Sequence, residues 1–109
     1  MDEDLSTYVL VMTTVDTKDG ADKLSRAVVD ARLAASGQVT GPIETTYRHL
    51  GEVAQGTEWQ VLFRTTGDRL PELEALVSAE HPYDSPEIIS LPILSGPPAY
   101  LEWITRATR

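Results

Sequence analysis

The chain contains no cysteine. Disulfides are therefore excluded, and so is any metal site built on thiolates. It is also short of positive charge: 9 Lys and Arg stand against 17 Asp and Glu, for a formal charge of −8. A surface that neutralises phosphates needs the opposite balance, so neither nucleic acid nor an anionic membrane is expected as a partner. No apolar run is long enough to span a bilayer. The N-terminal Met1-Asp2-Glu3-Asp4 is acidic where a signal peptide is basic, so a cytoplasmic location is expected. Both standard phosphate cradles, GxxxxGK[ST] and GxGxxG, are missing, and no local nucleophile motif frames a serine.

What is present suits one domain. The chain has 109 residues, 41% of them apolar, which is enough for a single core over 1–109, with residues 1–6 as a disordered tail. Residues 7–15, TYVLVMTTV, are β-branched and nearly continuously apolar, the pattern of a central strand buried on both faces. Asp16 or Thr17 is placed to cap a helix over 20–35, with apolar residues at 21, 24, 27, 28, 31, 34 and 35 and a stop at Gly37. Leu33 falls off that face.

Residues 38–49 read as extended, with a bend or bulge at Gly41-Pro42 and a turn at Gly51. Residues 57–66 alternate: Trp59, Val61 and Phe63 share one face, and Glu58, Gln60, Leu62 and Arg64 the other. These segments predict a long hairpin, with Gly56 as a bulge or bend. Asp68 opens a second helix carrying Pro71 in its first turn and Leu70, Leu73, Leu76 and Val77 on one face. A strand over 86–94 and a last helix with Tyr100, Leu101 and Ile104 inward complete the chain.

The first six elements spell βαββαβ, the ferredoxin-like order, so the expected class is α+β: an antiparallel sheet with both main helices on one face and an extra C-terminal helix. The other face then needs cover, with Val11, Val61 and Ile89 as candidate apolar residues. Either the last helix or a partner subunit must supply it, and the exposed hairpin edges also favour an oligomer.

That fold hosts several functions. Acyl-phosphate hydrolases need an arginine in the loop after the first strand; VDTKDG at 15–20 has two acids and no arginine. RNA-recognition modules need a Gly- and aromatic-rich third strand on a basic surface, which GTEWQVLFRTT at 56–66 is not. The metal candidates are His81 with Glu80 and Asp84, although no HxH or HxxxH spacing accompanies them. A structural reading of His81 stands beside this one. It ends a helix at the negative pole of the dipole, Pro82 stops that helix, and Tyr83 packs at the corner.

HPYDSPEIISLPI at 81–93, AYLEWI at 99–104, ARLAAS at 31–36 and TYRHLGEVAQGTEWQVLFRTT at 46–66 occur together. In this the chain resembles the CutA family, the divalent-cation tolerance proteins, from about residue 8 onward. The resemblance implies a homotrimer of ferredoxin-like subunits, no enzymatic activity, no required cofactor, and binding of Cu(II) or another divalent cation. It also implies a cleft between subunits, lined by Tyr47, Glu58, Arg64, Tyr83 and Trp103. A second implied reading is a PII-like sensor or scaffold taking an anionic ligand in that cleft, with Arg64 and Arg48 as its cations.

The sequence departs from the family in places that bear on metal. Ser36 stands where the family usually has cysteine, which removes the soft ligand. His49 takes the position of a tryptophan and becomes a further metal candidate, from a neighbouring subunit. Glu52 replaces a usual lysine, Arg64 keeps a lysine's charge, and one histidine, His81, stands where some members have two.

Overall fold

The structure, a computed structural model, describes residues 7–109; the tail expected at 1–6 lies outside them. The elements run β1 (Tyr8–Val15), α1 (Lys18–Asp30), β2 (Ser36–His49), β3 (Glu52–Thr66), α2 (Leu70–Glu80), β4 (Ile88–Pro92) and α3 (Pro98–Ala107), with a 3-10 turn at Gly67–Arg69 leading into α2. The strands form one sheet in the order β2-β3-β1-β4, and every neighbouring pair is antiparallel. The expected α+β class is observed.

Strand β1 does not bury both faces. Val9, Val11, Thr13 and Val15 are buried, while Tyr8, Leu10, Met12 and Thr14 are only partly covered. The difference arises because α1 and α2 lie on the same side of the sheet. The buried valines form one core with Ala21, Leu24 and Val28 of α1, Leu73 and Val77 of α2, and Val61 and Phe63 of β3. Each such valine contributes roughly 1.5–2 kcal/mol.

The register carries the alternation across the sheet. Leu10 and Met12 face Arg64 and Leu62 on one side and Leu91 and Ile89 on the other. Leu10, Met12, Leu62, Ile89 and Leu91 therefore share the open face. Val11 and Val61, expected as candidates for that face, point into the helix side instead. Ile89 does belong to it, at 43% exposed, beside Leu91 at 50%.

Helix α1 starts where Thr17 Oγ1 accepts the Gly20 amide at 3.0 Å, a side-chain cap that satisfies one free N–H. It ends at Asp30, and the chain reverses through Arg32 at φ 61° rather than running on to Gly37. Gly37 lies inside β2, where α1 comes so close that a Cβ would sit 2.2 Å from Ser25 Oγ. That glycine suits the close packing of helix on strand; it does not stop the helix. Leu33, off the helical face, is buried in the turn beyond the helix.

The bend in β2 lies at the cis Gly41-Pro42 bond, where the β2–β3 register shifts between Thr40 and Ile43. Gly56, expected as a bulge or bend, pairs regularly with Thr45. Helix α3 is tied to the Tyr8 end of the open face by a 2.7 Å hydrogen bond between the Tyr8 and Thr105 hydroxyls. Ile104 is fully buried, but Tyr100, expected inward, is 40% exposed. It packs on Trp103, with ring centroids 5.6 Å apart.

Thr13 Oγ1 is buried without a hydrogen-bond partner, the one such side-chain atom among the described residues. Thr13→Val keeps the shape and removes the desolvated hydroxyl. It should raise the unfolding free energy by about 1 kcal/mol, measurable by denaturant titration; a loss of stability would show that the hydroxyl has a partner.

At the β3–α2 junction, the Asp68 carboxyl accepts from Thr66 Oγ1 and pairs with Arg109 at 3.2 Å. The hydrogen bond from Thr66, then the charges of Arg109 and Arg69, hold its pKa below the ordinary 3.8. A depressed carboxyl stabilises the fold above its unfolded value and loses that contribution as pH falls through the folded one. Asp68→Asn should therefore lower the melting temperature at neutral pH, and the gap to the parent should close below pH 3.8. A gap that persists undiminished in acid would assign the effect to packing.

Candidate functional site

Strands β2 and β3 are 14 and 15 residues long against 8 for β1. The hairpin therefore overhangs the sheet beyond Trp59, the last β3 residue paired with β1. The corner at 81–87, which carries the chain from α2 into β4, faces this overhang. Between them lies a cleft of about 860 Å³.

Alternation brings the two walls to one side. Thr45, Tyr47 and His49 of β2 and Gly56 and Glu58 of β3 all face the cleft, as do Thr14 and Asp16 at the end of β1. This is the same side of the sheet as Leu10, Met12 and Leu62, so the cleft continues the open face. The corner adds Tyr83, Asp84 and Glu87. Tyr47 lies diagonally over Gly56, whose absent Cβ would sit 3.7 Å from the Tyr47 ring.

The lining holds the carboxylates of Asp16, Glu58, Asp84 and Glu87 and the imidazole of His49, with no lysine or arginine among them. Such a wall concentrates cations and repels anions. Tyr83 donates its hydroxyl to Glu58 Oε2 at 2.8 Å. Thr14 Oγ1 makes a long contact of 3.4 Å to Glu87 Oε1.

Of the residues expected from the sequence, the cleft gathers Tyr47, His49, Glu58, Tyr83 and Asp84. Arg64 is elsewhere: it faces the same side as Glu58 but lies six residues along the strand, about 20 Å away, and donates to Gln38. No Glu58–Arg64 pair forms. Arg48 reaches back to the Gly51 carbonyl at 3.2 Å, at the hairpin turn. Trp103 stacks on Tyr100 of α3 and is not part of the lining. Glu80 is the last, exposed residue of α2 and also lies outside it.

His81 is 9% exposed. Its Nδ1 accepts the Tyr83 amide at 3.1 Å, and its Nε2 lies 2.9 Å from the Thr14 carbonyl. Both ring nitrogens are thus engaged by the main chain. Among the described residues no three His, Asp or Glu side chains converge as a metal cage would require. Ser36 opens β2 opposite Arg64, roughly 35 Å of strand from Tyr47.

Sequence reasoning did not find Asp16, Glu87 or Thr14 as lining residues. Asp16 and Thr14 share a parity with Leu10 and Met12. A register for β1 would have placed them on the open face, but periodicity alone does not give one.

The chain is thus an α+β domain of antiparallel-sheet class, with one open sheet face and an acidic cleft at its edge. The family model for CutA1 divalent ion tolerance proteins matches residues 9–107, and the chain belongs to that family. The divalent-cation tolerance protein CutA of Thermus thermophilus is 37% identical over 99 residues, 91% of this chain and 96% of that protein. A chloroplastic CutA of Arabidopsis thaliana is 36% identical over 101 residues, 93% of this chain but 56% of the plant protein. The chain thus spans nearly all of the first and about half of the second. Among solved structures, CutA1 from Oryza sativa superposes with a TM-score of 0.92 at 33% identity, covering 96% of this chain and 97% of that one.

Burial pushes the Tyr83 phenol above its ordinary 10.0, and the hydrogen bond and charge of Glu58 push it the same way. A proton held more tightly in the folded state stabilises the fold below the unfolded value. That contribution is lost as pH rises beyond it toward the folded one. Tyr83→Phe should therefore lose stability less steeply than the parent above pH 10 in melts at stepped pH. Equal slopes would place the alkaline titration on another group.

Proposed function

We propose that the protein is a cytoplasmic, trimeric, ferredoxin-like binding protein of divalent-cation tolerance. It takes Cu(II) or another divalent ion weakly through carboxylates and imidazole, and it acts by binding rather than by catalysis. The observation that carries this reading is the cleft: four carboxylates and His49, with no opposing cation in the lining. Family membership supports it. Oxygen and imidazole donors suit Cu(II) and Zn(II), and Ser36 supplies no thiolate for softer ions. Because no three donors converge among the described residues of one subunit, the binding is weak unless water or a neighbouring subunit completes it.

The PII-like reading, with an anionic ligand, is not favoured. Its two proposed cations, Arg48 and Arg64, are turned to the Gly51 carbonyl and to Gln38. The cleft wall would repel an anion.

The trimer is supported by the open face. Leu10, Met12, Leu62, Ile89 and Leu91 form an apolar strip that α3 does not cover fully, and the outer edge of the overhanging hairpin pairs with no strand among the described residues. A second and third copy would bury both.

Calorimetry tests the cation reading. Cu(II) and Zn(II) should give saturable heats where ATP gives none. Removing one carboxylate about 5 Å from a divalent ion costs roughly 1.7 kcal/mol at the dielectric of water, more than tenfold in affinity. Asp84→Asn should therefore weaken Cu(II) binding by about that factor at low salt. Undiminished affinity in this variant, or heats from ATP alone, would overturn the reading. Sedimentation of dilute protein tests the trimer, and a monomer at micromolar concentration would refute it.

A further inference from the structure

The corner at 81–87 contains a chain of hydrogen bonds that runs between two strands. Thr14 of β1 presents its carbonyl to His81 Nε2 at 2.9 Å, and His81 Nδ1 takes the Tyr83 amide at 3.1 Å. Tyr83 then gives its hydroxyl to Glu58 Oε2 of β3 at 2.8 Å. The His81 and Tyr83 rings also pack, with centroids 4.9 Å apart at 55°.

The directions of these bonds are fixed by chemistry. A backbone N–H can only donate, so Nδ1 must present its lone pair to Tyr83. A carbonyl can only accept, so Nε2 must carry the ring hydrogen. Neither nitrogen keeps a lone pair for a metal ion. Coordination at Nδ1 would strand the Tyr83 amide, and coordination at Nε2 would require the other tautomer and strand the Thr14 carbonyl.

We propose that His81 is a positioning residue: it aims Tyr83, and through the Tyr83 hydroxyl it fixes the Glu58 carboxylate in the cleft. This rests on the cation reading of that cleft. Glu58 stands on the overhanging part of β3, opposite Ile43 and beyond the last β1 pairing. An unrestrained glutamate there would sample several rotamers. Tyr83 holds Oε2 and leaves Oε1, which accepts no hydrogen bond from the described residues, for a ligand. Pro82 and Pro86 limit the corner's backbone, so the direction of Tyr83 depends on the one amide that His81 accepts.

The test separates positioning from coordination by using asparagine. In His81→Asn the side-chain amide oxygen can accept the backbone N–H two residues on, as in an Asx turn, but no ring nitrogen remains for metal. The variants are His81→Asn, His81→Ala and Glu58→Gln, with Zn(II) alone as the probe. The readouts are Zn(II) affinity, the 13Cζ shift of Tyr83, and the 15N shifts of the His81 ring in the parent.

We expect the parent ring to stay protonated on Nε2 only, with both 15N shifts unmoved at saturating Zn(II). His81→Ala should move the Tyr83 13Cζ shift as Glu58→Gln does, and should lower Zn(II) affinity about fivefold. His81→Asn should keep the parent shift and stay within about twofold in affinity. Movement of a His81 ring nitrogen on adding Zn(II) would overturn the proposal, as would a His81→Asn variant that loses affinity while keeping the Tyr83 shift. Should His81→Ala fail to fold, His81→Asn and Glu58→Gln still decide the matter through the Tyr83 shift. Should the parent bind no Zn(II), the cation reading falls, while the Tyr83 shifts in the metal-free variants still test whether His81 aims Tyr83.

Discussion

The pairing of β1 with β3 sets two opposite environments at alternate residues, and the rest of the domain depends on that alternation. Val9, Val11 and Val15 interlock with Val61 and Phe63 beneath α1 and α2. One position along, Leu10, Met12 and Leu62 stand on the open face, which α3 covers only in part. A one-residue slip would exchange the two sets, exposing the core valines and turning Gln60 and Arg64 toward the helices. The core thus fixes the register, and the register decides what stands on the open face.

The same register builds the cleft. The parity that places Met12 on the open face also places Thr14 and Asp16 there, and the parity of Leu62 places Glu58 and Gly56 there. The hairpin then needs only to outrun β1 for these residues to form a wall without a core behind it. Such an overhang has no helix to stiffen it. The hydrogen bond from Tyr83 to Glu58 spans the gap between corner and hairpin, and Tyr83 is itself held through His81 to the backbone of β1. The overhang is therefore braced against β1, a strand whose position the core determines.

Much of this was legible in the chain, because local patterns carry it. The 3.6-residue spacing of Ala21, Leu24 and Val28, the alternation of Trp59, Val61 and Phe63, and the cap at Thr17 all act over a few residues. What could not be read needed distances between parts far apart in sequence. Gly37 resembles a helix stop until Ser25 is seen pressed against it. Val11 and Val61 resemble surface candidates until the helices are seen to choose their side. The family likeness implies a cleft between subunits, and within this one chain Tyr47, Glu58 and Tyr83 share a cleft. Arg64 and Trp103 come from the same likeness, and within this one chain they stand apart from that cleft because strand length and the placement of α3 put them there.

The departures from the family pattern acquire a physical meaning once placed in space. Ser36 begins β2 at the opposite end from the cleft, so losing a thiolate there leaves the cleft chemistry of a single subunit untouched. His49 and Glu52 lie at the hairpin tip, an imidazole and a carboxylate where the resemblance implies an aromatic and a cation. Both changes move that end of the molecule in one direction, towards cation-binding oxygen and nitrogen donors. His81 stands just outside this set, with its two nitrogens turned to backbone. On the cation reading, the imidazole most exposed to an ion is His49, and the imidazole that orders the wall is His81. The two histidines then divide contact and support between them.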